Sequence, residues 1–322
     1  MIARYTANGA LDTSFDGGGW SFFDIGFDGE DDITTDIGLQ ADGKAVLGGY
    51  TYTGTEYDFA AMRYNTNGLP DYAGFHGGDG VVTVDLNTSQ DRAAATVMLP
   101  DGRIVLVGKT SDAFGLVGIS QDGYPDAGFG TVVNTVGTSA SYAYAAVLQP
   151  WDKVIAAGRC ISAVSLVFAL ARYDAEGELD AGSGTGGTVV TPVPSYASAE
   201  IYAVGLQSDG RIVVARRAGP SSSVGDVVVA RYLNDVSTST SDAAAGAAGI
   251  SAYPDPFTDR VTVQGTSQGA VLTLTDALGR EVARTTVTEG FSDHAWPELR
   301  PGAYTLSHST SDGAQRLRVV KQ

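Results

Sequence analysis

The chain has 322 residues, enough for two domains with buried cores, and it carries 37 acidic against 20 basic side chains. The formal net charge of −17 is concentrated in residues 1–249, which carry −16, whereas residues 250–322 carry −1. A chain this acidic with no apolar run of about 18 residues predicts neither a nucleic-acid partner nor membrane insertion.

The first residues do not have the composition of a secretion signal. Residues Met1–Tyr5 have no basic n-region and are followed by no apolar h-region, so we expect no signal peptide in this chain. Residues 2–5 are Ile2-Ala-Arg-Tyr5, a pattern that returns four more times in whole or in part. This recurrence indicates an internal repeat.

Three sequence lines recur in a fixed order. The first is a turn, with copies at Asn8-Gly-Ala-Leu-Asp-Thr-Ser-Phe15, Asn67 to Phe75, Asp122 to Phe129 and, degraded, Glu176-Gly-Glu-Leu-Asp180. The second joins two apolar runs, with copies at Leu39-Gln-Ala-Asp-Gly-Lys44, Met98-Leu-Pro-Asp-Gly-Arg103, Leu148-Gln-Pro-Trp-Asp-Lys153 and Leu206-Gln-Ser-Asp-Gly-Arg211. The third has copies at Ala61-Met-Arg-Tyr64, Val117-Gly-Ile-Ser120, Ala171-Arg-Tyr173 and Ala230-Arg-Tyr232.

These lines predict strands rather than helices. Asp-Gly between apolar runs is a hairpin turn, and runs such as Ile104-Val-Leu-Val107 suit strands buried on both faces. A short strand such as Gly80–Asp85 follows each turn, giving four strands per unit of 50 to 60 residues. The fold class predicted is all-β, an array of four four-stranded blades of a β-propeller, with units at about 4–62, 63–116, 117–171 and 172–232. A β-solenoid is the alternative, but its coils are shorter.

The repeats resemble the delta-60 repeat β-propeller family, whose units carry the same three lines. The resemblance covers about residues 1–233 and implies a fold without implying a ligand or a reaction. Two departures, Trp151-Asp152 in place of Asp-Gly and a missing turn phenylalanine at 181–187, predict less regular blades there. Four units fit either a compact four-bladed ring or the C-terminal part of a longer repeat array. The expected lack of a signal peptide is compatible with the longer array.

A second module follows a tether. Residues 234–249 are almost all Ser, Thr, Ala, Gly and Asp, which predicts a flexible linker. Residues 250–322 contain seven short strand-like segments, which predicts a small β-sandwich.

The second module resembles the type A C-terminal sorting domain of the bacterial type IX secretion system. The residues that carry the resemblance are Tyr253, Pro254, Pro256, Phe257, Asp276, Gly279, Arg280, Leu299, Pro301, Gly302, Tyr304, Lys321 and Gln322. The resemblance implies transit through the periplasm, recognition by the type IX machinery through residues 250–322, and a secreted or outer-membrane surface location. An accessory sandwich domain without a sorting role is the alternative.

No catalytic set stands out. His76 is the one histidine of the repeats and reads as a turn substitution, so no Ser-His-Asp set is predicted. Cys160, the single cysteine, reads as a core residue and excludes a disulfide. We predict no cofactor; the acidic run Asp28, Glu30, Asp31 and Asp32 is a weak calcium candidate, because contiguous acids converge poorly on one ion.

These observations favour a secreted or cell-surface protein without catalytic activity, a binding or structural module whose ligand is a glycan or a protein. Several aromatic side chains offer a sugar-binding face, namely Trp20, Phe22, Phe23, Tyr50, Tyr52, Tyr57, Tyr142 and Tyr144. A secreted hydrolase acting on polysaccharide or peptide is the alternative. Its mark would be a carboxylate pair outside the repeat pattern, and none stands apart.

Overall fold

The computed structural model describes residues 1–25, 31–86, 90–193, 196–220, 225–233, 251–253, 260–264, 270–275, 280–287, 291–296, 298–300, 302–310 and 313–321. It divides into two compact units, Met1–Asp235 and Val236–Gln322. The predicted linker, residues 234–249, lies outside the described residues. Within those residues no helix is long and apolar enough to cross a bilayer.

The first unit is built from strands and turns. Its strands are β1 (Ile2–Ala3), β2 (Trp20–Ser21), β3 (Asp32–Leu39), β4 (Ala45–Tyr52), β5 (Tyr57–Tyr64), β6 (Val81–Val84), β7 (Arg92–Met98), β8 (Ile104–Thr110), β9 (Ala113–Ile119), β10 (Thr131–Asn134), β11 (Ser141–Gln149), β12 (Lys153–Ser162), β13 (Ser165–Tyr173), β14 (Thr188–Thr191), β15 (Ser198–Ala199), β16 (Ala203–Leu206), β17 (Ile212–Gly219) and β18 (Asp226–Tyr232). Two short 3-10 turns lie at His76–Gly78 and Pro150–Asp152.

The strands pair in sequence order into antiparallel sheets. Three sheets have four strands, β3-β4-β5-β6, β7-β8-β9-β10 and β11-β12-β13-β14. A fourth comprises β16-β17-β18 and joins the third through β15, which bridges β13 in parallel at Leu166 and Ser198. The pair β1-β2 stands before the first sheet. First strands of successive sheets contact one another and so form the inner edge of the array.

The sheets are offset by one strand from the predicted units. The short strand that opens each sequence unit pairs with the last strand of the unit before it, as β6 pairs with β5. The unit boundaries at 4–62 and 63–116 therefore cut through sheets, because a repeat period fixes a spacing but not a starting point. In place of four complete blades, the described residues form three complete sheets, a fourth without its fourth strand, and the pair β1-β2.

In the first and third sheets the three repeated lines converge on one ion cluster. In the first sheet Asp71 accepts hydrogen bonds from Lys44 at 2.8 Å and from Arg63 at 2.9 Å. Burial alone would raise the pKa of Asp71, but the bond from Lys44 and the charge of Arg63 lower it. The third sheet repeats the arrangement with Lys153, Arg172 and Asp180. Each line thus supplies one member of the cluster that ties hairpin, strand and turn together.

Glycine in the turn line is required by the neighbouring sheet. Gly123 has φ +87°, and a Cβ there would lie 2.8 Å from the Phe75 ring. Gly68, at φ +88°, stands in the same way 2.7 Å from the Phe15 ring. Gly68, Gly123 and Gly177 therefore each contact the phenylalanine of the turn before them, which is why Gly and Phe recur together in the line.

The hairpin at Trp151-Asp152 keeps its pairing. Gln149 faces Lys153 and the pairing continues unbroken to Ala145 and Ala157, so the predicted irregularity is absent at this turn. The register shifts only further on, between Ala143 and Ala145. The three-residue loop contains two non-glycine residues at positive φ, Trp151 at 63° and Asp152 at 58°, a backbone that Asn and Gly adopt more readily.

The core of the first unit lies between successive sheets. The third strands of the first three sheets each place a phenylalanine at the same repeat position, Phe59, Phe114 and Phe168, and each is 0% exposed. This position lies four residues before the arginine of the third line, or before Gly118 in the second sheet. In the fourth sheet the same position is Val227, which is 85% exposed. Val229, two places further on, is 63% exposed, whereas its counterparts Ala61, Leu116 and Leu170 are buried. Among the described residues, the face of β18 that presents Val227 and Val229 is therefore uncovered.

The second unit is a small two-sheet sandwich. Its strands are β19 (Ser251–Tyr253), β20 (Arg260–Gln264), β21 (Val271–Thr275), β22 (Glu281–Thr286), β23 (Phe291–Ala295), β24 (Gly302–Thr310) and β25 (Gly313–Lys321). One sheet has the order β19-β20-β23 and the other β22-β21-β24-β25. Val261 and Val263 of the first pack with Leu272, Leu274 and Leu306 of the second. The predicted C-terminal sandwich is confirmed.

Candidate functional site

Tyrosines and cations collect at one end of the inner strands, opposite the ion clusters. They lie where first strands begin and second strands end. We call this set the tyrosine–cation belt, and its members are Tyr50, Tyr57, Arg92, Lys109, Tyr142, Tyr144, Arg159, Tyr202 and Arg216, with Glu200 between two of them.

Strand register builds the belt. Arg92 at the start of β7 is the cross-strand neighbour of Lys109, and Tyr142 at the start of β11 is the neighbour of Arg159. Neighbours on one face of an antiparallel pair lie within side-chain contact. The first strands β7 and β11 contact one another. The Arg92–Lys109 pair of the second sheet therefore lies next to the Tyr142–Arg159 pair of the third.

The cations stack on the tyrosine rings. The Arg92 guanidinium carbon is 4.4 Å from the Tyr57 ring centre and 5.4 Å from that of Tyr50. Both Lys109, at 4.9 Å, and Arg159, at 4.8 Å, lie over the Tyr142 ring. Contacts within about 6 Å of a ring centre are attractive and are stronger where water is excluded.

The belt continues into the fourth sheet. Arg216 lies 3.2 Å from the centre of the Tyr202 ring, which contacts Tyr144 edge-on at 4.5 Å. Glu200 accepts hydrogen bonds from Arg159 at 3.0 Å and from Arg216 at 2.6 Å. One carboxylate therefore serves two guanidinium groups, and this part of the belt stays positive.

Arg92 and Lys109 carry charge that no described ion pair neutralises. The Arg92 Nε is buried without a hydrogen-bond partner among the described residues, although its Nη2 donates to Gln90 at 3.0 Å. Burial, and then the neighbouring Arg92 and Arg159 charges, lowers the pKa of Lys109. Two adjacent cations thus repel one another on a chain of net charge −17.

Two tyrosine hydroxyls of the belt, those of Tyr142 and Tyr144, have raised pKa values. Burial raises the pKa of Tyr144 to about 12, with the charge of Arg159 opposing and those of Tyr202 and Glu200 assisting. Burial, and then a hydrogen bond to Asp112, raises the pKa of Tyr142. The Tyr142 hydroxyl donates to Asp112 at 3.0 Å. These two residues therefore offer neutral hydroxyls beside the positive charges of Lys109 and Arg159.

A separate acidic cluster lies beside the Tyr57 end of the belt. One oxygen each of Glu56, Asp58 and Asp85 lies within 4.8 Å of the other two. Asp58 is only 8% exposed, and its Oδ1 has no hydrogen-bond partner among the described residues. Burial, followed by the charges of Asp85, Glu56 and Asp91, raises the pKa of Asp58 to about 6.

The predicted calcium candidate is only partly within the described residues. Asp28 and Glu30 lie outside them, whereas Asp31 is exposed at the start of β3. Asp32 accepts hydrogen bonds from the Ile25 amide and the Thr51 hydroxyl, each at 2.5 Å, one on each carboxylate oxygen. Asp32 thus ties the β2–β3 connection to β4.

The residues of the second unit that carry its resemblance to a sorting domain are divided in the same way. Pro254, Pro256, Phe257, Asp276, Gly279, Pro301 and Gln322 lie outside the described residues. Tyr253 ends β19, Arg280 precedes β22, Gly302 begins β24 and Lys321 ends β25. Tyr304 is buried and its hydroxyl donates to the Arg300 carbonyl at 2.7 Å, while Leu299 packs on the same core.

The remaining predicted residues lie in structural settings. His76 is in a turn at φ 49°, with its ring 5.5 Å from that of Tyr124 in the next sheet. Cys160 is a fully buried free thiol of β12, as predicted. Of the predicted aromatic face, Trp20 stacks on Phe22 and Phe23 contacts Tyr72, whereas Tyr52 contacts Tyr57 of the belt with ring centres 5.2 Å apart.

Sequence reasoning missed the belt cations and the acidic cluster. A signal for the belt exists, since the sixth residue after the hairpin cation is Tyr50, Lys109 and Arg159 in the first three units. A signal for the cluster is a departure from the repeat. The fifth residue before Arg63 is Asp58, whereas the matching residues of the next two units are Ala113 and Val167.

One protein family matches the repeats. The β-propeller domain family DUF5122, of unknown function, matches residues 2–15, 40–73 and 207–236, which contain copies of all three sequence lines. The repeats form a β-propeller fold. With its four-stranded sheets, this propeller confirms the predicted fold class, and the delta-60 resemblance holds at the level of a β-propeller repeat. No curated protein matches the chain.

Several solved structures are similar at low identity. PorZ, a surface component of the type IX secretion system of Porphyromonas gingivalis, matches 99% of this chain at 12% identity and a TM-score of 0.36. The chain spans 41% of the length of PorZ. A glycoside hydrolase matches 88% of this chain and 80% of its own at 10% identity and TM-score 0.36. The aldose sugar dehydrogenase of Streptomyces coelicolor matches 89% and 96% at 12% identity and TM-score 0.33. Likenesses of this order carry no argument about function.

Proposed function

We propose that this propeller is a non-catalytic binding module that takes an acidic glycan on the tyrosine–cation belt. The observation that carries the proposal is the pair Arg92 and Lys109, two adjacent cations outside every described ion pair on a strongly acidic chain. A ligand carboxylate would relieve their repulsion and would satisfy the buried Arg92 Nε.

The tyrosines support a sugar as the carrier of that carboxylate. Sugar rings present apolar faces to aromatic side chains and hydroxyls to polar ones, and Tyr202 at 48% exposure presents both. Tyr142, Tyr144 and Tyr202 follow one another in edge-on contacts of 6.5 and 4.5 Å. A short oligosaccharide laid along them would bring its acid group to Arg159 or Lys109.

Calorimetric titration with trigalacturonate and with neutral maltotriose tests the proposal. We expect the acidic trisaccharide to bind at least about tenfold more tightly, since one good charge-assisted contact is worth about 1.5–3 kcal/mol. Lys109→Met keeps the side-chain stem and removes the charge, and it should weaken trigalacturonate binding about tenfold. Arg211→Gln is the matched control, because Arg211 is an exposed cation paired with Asp209 at the opposite end of the strands.

Three results would overturn the proposal. They are no binding of either sugar, equal binding of both, or equal loss of affinity in Lys109→Met and Arg211→Gln. Cleavage products, sought by chromatography after long incubation, would show that the module is an enzyme.

For the second unit we propose export by the type IX secretion machinery to the cell surface or the medium. The support is the resemblance of residues 250–322 to a sorting domain, carried by residues from Tyr253 to Gln322, together with their place in a separate compact unit. Residues 250–322 carry −1 beside −16 for residues 1–249, which fits recognition by a machine separate from the repeats' ligand.

A fusion experiment tests export. Residues 250–322 attached to an unrelated periplasmic protein should carry it to the surface or medium of a host with this system. The full protein without residues 250–322, given a functional signal peptide, should remain in the periplasm. Surface delivery of the truncated protein would mean that the unit is an accessory sandwich.

A further inference from the structure

The acidic cluster is assembled by three strand ends of the first sheet. Glu56 precedes β5, Asp58 is the second residue of β5, and Asp85 follows β6 directly. Because Phe59 pairs with Val84, the antiparallel register brings Asp58 beside Asp85. Like charges directly opposite one another on neighbouring strands are destabilising.

A fourth carboxylate adds to the negative potential. Asp91 is 0% exposed and accepts a hydrogen bond from the Leu86 amide at 2.8 Å. Its charge and those of Glu56 and Asp85 all act on Asp58. Asp58 is more than nine-tenths buried and leaves Oδ1 without a partner among the described residues. A buried carboxylate oxygen that accepts no hydrogen bond is unfavourable unless a bound cation balances its charge.

The propeller fold does not require these acids. In the second sheet the positions of Asp58, Asp85 and Asp91 hold Ala113, Thr135 and Ser141. Ser141 caps the Val136 amide at 3.0 Å just as Asp91 caps Leu86. A neutral residue therefore performs the structural task in the next sheet, and the charge in the first sheet needs another reason.

We propose that Glu56, Asp58 and Asp85 form a calcium-binding site. Oxygen ligands lie about 2.3–2.6 Å from Ca²⁺, so two of them on one ion are separated by up to about 5 Å, which matches the 4.8 Å envelope of the cluster. Magnesium holds its ligands at about 2.1 Å, close to 4.2 Å apart at most, and keeps several waters. Two of the carboxylates lie at the start of β5 and the third lies just after β6, so these are the three strand-end positions named above and a bound ion clamps β5 to β6 beside the belt.

Calorimetry and thermal melting of the full chain, freed of divalent ions with a chelator, test the site. CaCl₂ should bind with a Kd of about 0.1–1 mM, the range of extracellular modules, and more tightly than MgCl₂. At tenfold excess over Kd the Tm of the repeat unit should rise by about 3–6 °C. Asp58→Asn should abolish both effects, and Glu56→Gln should weaken binding about tenfold.

Asp226→Asn is the matched control, since Asp226 occupies the position of Asp58 in the fourth sheet but is exposed and accepts from the Tyr196 hydroxyl. It should bind calcium like the wild type. The proposal fails if folded wild type shows no heat up to about 10 mM calcium, or if NaCl of equal ionic strength gives the same rise. It fails equally if Asp58→Asn binds unchanged, or if Asp31→Asn/Asp32→Asn abolishes binding instead. Glu56→Gln, at a half-buried turn, decides the matter if Asp58→Asn does not fold.

Discussion

Equivalent tyrosines in two copies of the repeat differ in the hydrogen bonding of their buried hydroxyls. Tyr64 and Tyr173 end the same line in the first and third sheets, and both are almost fully buried. The Tyr64 hydroxyl is hydrogen-bonded to the Ser21 side chain. The Tyr173 hydroxyl has no partner among the described residues, and burial raises its pKa.

The two tyrosines should respond oppositely to loss of the hydroxyl. Tyr173→Phe removes an unsatisfied polar atom and should leave stability unchanged or raise it by up to about 1 kcal/mol. Tyr64→Phe breaks a bond and should lower stability by about 1 kcal/mol. Urea unfolding of both variants measures the difference. Destabilisation by Tyr173→Phe equal to that by Tyr64→Phe would contradict the assignment of partners.

The Asp58 carboxyl should make stability fall as pH rises. Its pKa is about 6 in the folded chain against an ordinary 3.8, so the folded state holds the proton more tightly. The stability that the protonated group preserves is complete below about pH 4 and is lost as pH rises to about 6. Glu56, Asp85 and Asp91 act in this direction, and a hydrogen bond from Thr53 opposes them.

Comparison with Asp58→Asn isolates that effect from the rest of this acidic chain. Both proteins are unfolded with urea at several pH values in the presence of a chelator. The free energy of unfolding of the variant should rise relative to that of the wild type between pH 4 and pH 6, and the difference should stay constant above pH 6. A constant difference across that range would mean that Asp58 titrates normally in the folded protein.

Among the elements, the hairpin between β11 and β12 contains backbone strain. Trp151 and Asp152 are both left-handed without being glycine, and such residues cost about 1 kcal/mol or more each. The double change Trp151→Asn/Asp152→Gly replaces both with residues that adopt the left-handed conformation more readily, and it should raise the free energy of unfolding by about 1–2 kcal/mol. The reciprocal change Gly43→Asp, at φ +83° in the first sheet, should lower it by about 1 kcal/mol. Thermal melting of both checks the signs; a loss of stability in the double variant would show that Trp151 packs better than it strains.

Strand positions were predictable because apolar runs and turn residues report local structure. The run Ile104–Gly108 lies within β8, and Gly187–Thr191 contains β14. Strand pairing across unit boundaries was not predictable, since β14 pairs with β13 of the preceding unit. The belt was missed for a related reason. Arg92 and Lys109 are 17 positions apart, and only the sheet register makes them neighbours.

At the scale of the whole molecule, the linker should let the two units unfold separately. Residues 234–249 contain almost no apolar surface through which one core could stabilise the other. Calorimetry of the full chain should show two transitions, and a chain ending at residue 233 should keep the repeat transition within about 2 °C. A single transition that shifts by more on truncation would mean that the units are energetically coupled.

The uncovered face of β18 makes the copies of the repeat unequal in the substitutions they tolerate. Leu116 and Val229 occupy the same place in the third line, but Leu116 is 0% exposed and Val229 is 63% exposed. Leu116→Lys buries an unpaired charge between sheets and should cost about 3 kcal/mol or more, while Val229→Lys should stay within about 0.5 kcal/mol of the wild type. Urea unfolding of the two variants tests this. If Val229→Lys lowers the free energy of unfolding as much as Leu116→Lys does, this face of β18 is covered in solution. The effect of a charge on β18 therefore tells whether another surface packs against that strand.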